Sequence, residues 1–157
     1  FTLAKEKLYI TNPYFIPNES IVDSLKQAAI SGVDVRLIVP EKSDSAVVGA
    51  ASRFYFEELL TAGVRIFLYK KGFVHAKTVV ADGRLSVVGT ANMDIRSFDL
   101  NFEIMSVLYG TEFASELEEV YLNDLEECRE VLPEQWNKIG ILNRLWYAVA
   151  RLISSFL

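Results

Sequence analysis

The stretch VDVRLIVP, residues 33–40, has the apolar, β-branched composition of a buried strand, and its proline ends that strand. A helical pattern lies on each side of it, and a further β-rich run lies beyond each helix. Because both helices have the length of crossover connections, this order predicts a parallel sheet with helices on its faces. The first predicted strand, with the loop after it, covers residues 7–17, and a helix follows over 18–32. The second strand covers 33–39, the second helix 45–62 and the third strand 64–69.

The pattern changes after residue 69. The segment HAKTVVADGRLSVVGT, residues 75–90, has Asp82-Gly83 at its centre, which is the strongest local signal for a β-hairpin. A further strand is predicted over 101–109 and an acidic amphipathic helix over 112–131. The chain is therefore predicted to be an α/β protein with an antiparallel pair added to a parallel sheet.

Composition indicates an ordinary globular domain. Of the 157 residues, 51% are apolar and 24% are charged, and a chain of this length can bury a core without disulfides. Cys128 is the only cysteine, so an internal disulfide is excluded. Together with a single histidine, it also argues against a zinc site built from protein ligands. No metal and no other cofactor is predicted.

The charge balance bears on the partners. With 16 basic and 21 acidic residues, the net charge of -5 makes the chain a poor electrostatic match to nucleic acid, so no nucleic-acid partner is predicted. The chain begins at Phe1 without a signal-peptide pattern, which suggests a fragment of a longer protein. No apolar run approaches the roughly 20 residues that a membrane-spanning helix needs.

The hairpin gathers the polar candidates. His75 and Lys77 are two residues apart, so in a strand they share one face. A two-residue turn at Asp82-Gly83, or one shifted by one residue, would place Thr90 and Asn92 on that same face. A change of one residue in loop length would remove this convergence.

An imidazole, an ammonium, a hydroxyl and a carboxamide on one strand face are unfavourable when buried, unless an anion occupies the site. Lys77 offers a charge, and Thr90 and Asn92 offer neutral donors to phosphoryl oxygens. A neutral His75 can attack phosphorus or move a proton. Gly89 would let a ligand approach the backbone closely. A structural role for a lone histidine on a strand is the alternative that the residues leave open.

A motif and several segments carry a resemblance. The pattern His75-x-Lys77-(x)4-Asp82-(x)6-Gly89-Thr90-x-Asn92 resembles the HKD signature of the phospholipase D superfamily. The segments TNPYFIP, GVDVRLIVPEKSD, AASRFYFEELL and GTANMDIRSFDLNFE resemble the C-terminal half of bacterial cardiolipin synthases. The resemblance implies a phospholipase D-type mixed sheet flanked by helices, one of the two lobes of the full enzyme. Residues 1–135 would form the catalytic domain with the second HKD motif.

The resemblance also implies roles for single residues. His75 would be one of two active-site histidines, of which one forms a phosphohistidine and the other acts as general acid and then base. Lys77 and Asn92 would hold phosphoryl oxygens, Thr90 would occupy the Ser/Thr position of the motif, and Glu103 would orient the imidazole.

Asp82 belongs to the catalytic motif, yet hairpin parity points it away from His75. We therefore predict a structural role for Asp82 in the turn, which the resemblance implies as well.

The implied reaction joins two phosphatidylglycerol molecules into cardiolipin and glycerol at the bacterial cell membrane. Such a site needs two HKD motifs, and this chain carries one. The second would come from the N-terminal half of the same protein or from a second copy, and the isolated chain would be inactive unless paired. Two alternatives stay open: a homodimeric phosphodiesterase or nuclease, and a lipid- or partner-binding domain without activity.

The tail ILNRLWYAVARLISSFL, residues 141–157, belongs to an amphipathic helical segment over 136–157. Basic side chains at Lys138, Arg144 and Arg151 give it a polar side. A helix of this kind can lie in the lipid interface or dock on its own domain, and both alternatives stay open. Its apolar stripe consists of Leu142, Leu145, Trp146, Val149, Leu152, Ile153 and Phe156.

Overall fold

The computed structural model describes residues 1–154. A seven-stranded mixed sheet has the strand order β8-β6-β5-β1-β3-β4-β9, and β2 pairs with β7 in a small second sheet. The strands in chain order are β1 Lys7–Thr11, β2 Phe15–Ile16, β3 Asp34–Pro40, β4 Arg65–Tyr69, β5 Thr78–Ala81, β6 Leu85–Gly89, β7 Met93–Asp94, β8 Met105–Tyr109 and β9 Cys128–Glu130.

The large sheet combines two kinds of pairing. Strands β1, β3 and β4 are parallel, as the alternation of strands and helices predicts. Strands β5, β6 and β8 extend the sheet with antiparallel pairs on one side, and β9 lies antiparallel to β4 at the other edge. The predicted α/β class, with a hairpin added to a parallel core, is confirmed.

The helices cover the two faces of this sheet unequally. Helices α1, α2 and α3 pack on one face, where fully buried side chains such as Ile10 and Leu37 each contribute about 2 kcal/mol. Helix α5 covers the opposite face, and its Tyr121 stacks on Tyr9 with ring centroids 4.9 Å apart. The helices are α1 Glu19–Ile30, α2 Ala46–Phe54, α3 Phe56–Thr61, α4 Ile95–Asp99, α5 Thr111–Glu126, α6 Pro133–Trp136 and α7 Ile141–Ser154.

Three predicted bounds are corrected. The helix predicted over 45–62 is broken at Tyr55, whose N–H bonds to Ser52 O at 3.3 Å in a tighter turn and whose ring is buried. The helix predicted over 112–131 ends at Glu126, because the next residues form β9 on the backbone edge that β4 would otherwise leave unpaired. The strand predicted over 101–109 begins only at Met105.

Over residues 1–154, no helix has both the length and the apolar character needed to cross a bilayer. Phe156, the last residue of the predicted apolar stripe, lies outside the described residues.

Candidate active site

The hairpin has a three-residue turn, so the predicted two-residue register is wrong. Ala81 pairs with Leu85, and Asp82 and Gly83 both have positive φ angles, of 53° and 61°. Gly89 N donates to Lys77 O at 3.2 Å, which puts Lys77 opposite Gly89 rather than Thr90. Strand pairing therefore does not bring Thr90 to the face of Lys77, and the polar groups must meet through the loops that follow the strands.

The loop that follows β1 packs against the loop that carries Asn92 and fixes its position. Asn12 is buried, and its Oδ1 accepts hydrogen bonds from Met93 N at 3.1 Å and from Tyr14 N at 3.3 Å. Next to it, β2 and β7 pair in parallel, with Phe15 opposite Met93. Sequence analysis gave Asn12 no role, although an asparagine between a buried strand and a proline is a signal for a structured loop.

His75 and Lys77 contact each other directly. Lys77 Nζ donates to His75 Nε2 at 3.0 Å and to His75 O at 2.9 Å. Because an ammonium only donates, His75 Nε2 is an acceptor in this arrangement, and a neutral ring then carries its proton on Nδ1. The imidazole is exposed and flanked by the rings of Phe73 and Tyr14, with centroids 5.7 and 6.3 Å away. The Nε2 lone pair is engaged by Lys77 in this arrangement, so attack on phosphorus or proton abstraction requires that hydrogen bond to break first.

Lys77 is a buried cation among carboxylates. Its side chain is 8% exposed, and this burial lowers its pKa below the ordinary value, while the charges of Glu103 and Asp94 oppose the shift. The neighbouring carboxylates do not fully balance the charge of this buried lysine, so its environment favours the binding of an anion. Lys77 is therefore the residue of the predicted set whose environment most favours a bound phosphoryl group.

Glu103 is held by neutral donors. Thr90 Oγ1 donates to one of its oxygens, and Asn101 Nδ2 donates to the other at 3.3 Å. The hydrogen bond from Thr90, then those from Asn101 and Ser97 and the charge of Lys77, keep the pKa of Glu103 below its ordinary value despite some desolvation. Thr90 thus contacts the acid, and the expected action of Glu103 on the imidazole of His75 stays a prediction.

Asn92 completes the set from the loop after β6. Its N–H donates to Ser97 Oγ at 3.1 Å, while the Ser97 N–H is capped by Asp94 at 2.7 Å. The Oδ1 of Asn92 is buried and makes no hydrogen bond within the described chain. Asn92 and Lys77 line the same cleft of about 370 Å³. The Oδ1 can only accept a hydrogen bond, so the predicted hold of Asn92 on a phosphoryl oxygen requires its Nδ2 and stays a prediction.

Gly89 packs against a neighbouring strand. A Cβ at this position would lie 2.2 Å from Ile104 O and 2.4 Å from Met105 Sδ. The position of that Cβ is already occupied by Ile104 and Met105, where β8 begins. Close approach of the backbone is thus a packing reason for glycine at this position, and close approach of a ligand stays a prediction.

Replacing Gly89 with alanine is expected to lower the free energy of unfolding by about 2–3 kcal/mol, because the methyl group overpacks against the backbone. Urea denaturation measures this loss. Gly140→Ala is the matched control, since an added Cβ there meets no atom within 4 Å. Equal stability of the two variants would contradict the packing role.

Asp82 ties the start of the chain to the hairpin turn. Its carboxylate accepts from the backbone N–H groups of Lys5, Glu6 and Lys7, at 2.9, 2.8 and 3.0 Å for the shortest bond of each. Partial burial raises the pKa of Asp82, but these three donors outweigh it, and the pKa falls below its ordinary value of 3.8. This arrangement fits the structural role predicted from hairpin parity.

Asp82→Asn is expected to lower the free energy of unfolding at pH 7 by about 1–3 kcal/mol, because three charge-assisted bonds become neutral or are lost. A lowered pKa means that the stabilisation is complete above the unfolded-state pKa and disappears as pH falls through the folded-state value. The difference in free energy of unfolding between wild type and variant should therefore be complete at pH 7 and shrink as the pH falls below 3.8. Asp99→Asn, an exposed position, is the control. A difference that persists unchanged at the lowest pH would contradict this assignment.

No group of three or more His, Cys, Asp or Glu side chains within residues 1–154 is arranged to hold a metal ion. Lys77 instead links two of the predicted groups: its ammonium contacts the imidazole of His75, and it lines one cleft together with the carboxamide of Asn92. Such a set can bind a phosphoryl group through charge and hydrogen bonds and can supply a nitrogen nucleophile or base.

Comparison with known proteins gives the family. The family model described as cardiolipin synthase, PLD-like domain, matches residues 1–125. The chain belongs to this family. It is 46% identical over 151 residues to a cardiolipin synthase from Clostridium perfringens strain 13, a match that covers 96% of the chain but 32% of that relative. The chain thus spans about a third of the length of the curated relatives it matches.

Solved structures confirm the fold expected for this phospholipase D-like family. Nuc, a phospholipase D family member from Salmonella typhimurium, superposes with a TM-score of 0.72 at 19% identity, covering 83% of this chain and 85% of Nuc. The phosphatidylserine synthase from Haemophilus influenzae Rd KW20 superposes with a TM-score of 0.69 at 19% identity, covering 98% of this chain and 40% of that one. The predicted phospholipase D-type sheet flanked by helices is therefore confirmed.

Proposed function

We propose that the chain is the C-terminal catalytic half of a bacterial, membrane-associated cardiolipin synthase, acting on phosphatidylglycerol. The observation that carries the proposal is the contact between His75 Nε2 and Lys77 Nζ at 3.0 Å, in a chain of the cardiolipin synthase family. This contact places a nitrogen nucleophile or base beside a cation suited to a phosphoryl oxygen. Residues 1–135 form the catalytic domain in this proposal, and 136–157 form an appended helical segment.

The reaction proceeds through two displacements at phosphorus. The imidazole nitrogen of one histidine attacks the phosphorus of phosphatidylglycerol, and the bond from phosphorus to the headgroup glycerol oxygen breaks. A second histidine gives its proton to the leaving oxygen, which releases glycerol and leaves a phosphatidyl-histidine. The headgroup hydroxyl of another phosphatidylglycerol then loses its proton to the second histidine and attacks phosphorus, breaking the P–N bond and forming cardiolipin.

Residues of this chain support both displacements. Lys77 neutralises the charge that develops on the phosphoryl oxygens, and the Nδ2 of Asn92 donates a hydrogen bond to one of them. Glu103 remains ionised and, after a change of side-chain rotamer toward His75, can accept a hydrogen bond from the ring Nδ1. Thr90 positions that carboxylate until then.

The second histidine comes, in this proposal, from the N-terminal half of the same protein. Two features support an additional lobe: the relatives are about three times as long as the chain, and the cleft beside Lys77 leaves apolar side chains of β5 and β6 uncovered. A lobe seated over this cleft would lie beside Lys77, which contacts His75 directly. The isolated chain is then inactive.

A homodimeric phosphodiesterase or nuclease is the second candidate. It is supported by the single histidine and by the open sheet face, which a second copy could cover. The net charge of -5 weighs against nucleic acid as the substrate.

The test supplies the complete protein with phosphatidylglycerol carrying a radiolabelled headgroup glycerol. Cardiolipin and free labelled glycerol should form in equal amounts. Phosphatidic acid as the main product would show that water is the acceptor. Cleavage of DNA by the 157-residue chain alone, without turnover of lipid by the complete protein, would replace the proposal by the second candidate.

A further inference from the structure

The C-terminal helix α7 uses its polar side to bind the domain. Ala150 is fully buried, and α7 packs along α2. Arg144 Nη1 donates to both oxygens of Glu57, at 2.8 and 2.9 Å. Arg151 Nε donates to Tyr55 Oη at 3.2 Å. The arginines therefore point toward the protein, so the predicted polar side of this helix is the side that packs on the domain.

The apolar stripe of the same helix faces outward. Its exposed fractions run from 39% at Val149 to 78% at Leu142, with Trp146 at 43%. A terminal helix that docks through its small and polar residues while exposing its large apolar ones leaves an apolar surface without a partner in the described chain. The exposed members of the stripe are Leu142, Leu145, Trp146, Val149, Leu152 and Ile153.

The helices α5 and α7, on opposite faces of the sheet, also differ in charge. Helix α5 carries six acidic residues and no basic one, and it covers the face opposite to α1, α2 and α3. Helix α7 lies on the α2 side, with two arginines and no acidic residue. An anionic surface would therefore be repelled by the α5 side. Because the arginines of α7 face the protein, its apolar stripe, and not positive charge, provides the attraction on the α7 side.

The stripe also reaches the candidate active site. Leu152 and Ile95 line one cleft, and Ser154, at the end of α7, lines a second cleft together with Asn92 and Leu100. Ile95 and Leu100 are themselves exposed apolar residues on or next to α4. The apolar surface thus continues from α7 to the rim of the site.

We propose that the outer face of α7, continued by Ile95 and Leu100, docks on an anionic phospholipid bilayer and sets the site against the lipid headgroups. The proposal rests on the proposed function for its choice of a lipid surface. Trp146 and the leucines would insert into the boundary between headgroups and acyl chains. The substrate would then enter the cleft that Asn92 shares with Leu100 and Ser154, and it would come from the membrane rather than from water.

The test is sedimentation of the 157-residue chain with sucrose-loaded vesicles of phosphatidylglycerol and phosphatidylcholine. The double variant Leu145→Gln, Leu152→Gln should bind at least about 100-fold more weakly, because each leucine lost from the apolar phase removes a factor of roughly ten. The matched control is Val120→Gln, Leu122→Gln on α5, which changes two exposed apolar residues on the opposite side and should bind like wild type.

A second measurement does not depend on the folding of the double variant. In the Trp136→Phe chain, vesicles with brominated acyl chains should quench the fluorescence of Trp146. Absence of quenching, equal binding by the two double variants, or self-association through α7 in place of vesicle binding would each overturn the proposal. His75→Ala should bind vesicles like wild type, so a failed transferase assay and a failed docking test remain distinguishable.

Discussion

Replacing His75 with alanine is expected to lower the rate of cardiolipin formation by the complete protein about 10⁴-fold or more. Loss of a nucleophile or of its acid-base partner removes the two-step route altogether, and effects of this size are usual for such groups. The side chain is exposed, so little packing is lost and the fold should be unaffected. The measurement is conversion of labelled phosphatidylglycerol at saturating substrate, with the melting temperature of each protein taken in parallel.

Lys71→Ala is the control for His75→Ala. Lys71 lies four residues before His75, and its contact is an exposed ion pair with Glu127, so its removal should change the rate less than two-fold. Acid-labile, alkali-stable labelling of the protein by phosphatidylglycerol that carries its label on phosphorus would identify the covalent adduct, because the headgroup glycerol leaves when the adduct forms. Unchanged cardiolipin formation by the His75 variant would refute the assignment of this histidine to the reaction.

Replacing Lys77 with methionine is expected to lower kcat by about 10²–10³-fold and at the same time to stabilise the fold. The loss of rate follows from removing one preorganised donor to the phosphoryl oxygens. The gain in stability follows from burial, which lowers the pKa of Lys77 and makes its charge unfavourable in the folded state. We expect a gain of roughly 0.5–1 kcal/mol at pH 7, as for other residues held in a strained functional environment.

The pH dependence separates this explanation from a simple packing effect. Because the folded-state pKa of Lys77 lies below 10.5, the unfolded chain binds this proton more tightly. The stability of wild type should therefore rise, relative to Lys77→Met, as pH climbs through the folded-state pKa toward 10.5. Urea denaturation between pH 7 and pH 10.5 measures the difference in free energy of unfolding between Lys77→Met and wild type, which should narrow as the pH rises. A gap that is independent of pH, or a variant that keeps full activity, would contradict the role of Lys77 as a buried cation.

The backbone of the fold could be predicted from local patterns. The strand at 33–39 between two helices predicts a parallel core, since crossover connections of that length allow few other arrangements. Asp82-Gly83 predicts the hairpin, since both residues tolerate the left-handed backbone that the turn has. The resemblance of the stretch from His75 to Asn92 to the HKD signature implied phosphoryl chemistry.

The assembly of the site could not be predicted in the same way. One extra residue in the turn changed the register, and side-chain parity along a strand reverses with every such step. Thr90 and Asn92 reach the site because Asn12 and the pairing of β2 with β7 hold their loop. Asn12 is 80 positions away from Asn92, so no local pattern could report this contact.

The sequence by itself determined the order of strands and helices, the hairpin and the chemical types in the motif, because these depend on residues that are close along the chain. Only the tertiary structure decided which groups meet: Lys77 on His75, Thr90 on Glu103, and the arginines of α7 on Glu57 and Tyr55. Those contacts depend on loop lengths and on the packing of distant elements. The amphipathic tail shows the difference most clearly, because periodicity predicted its apolar stripe while packing alone decided that the stripe faces outward.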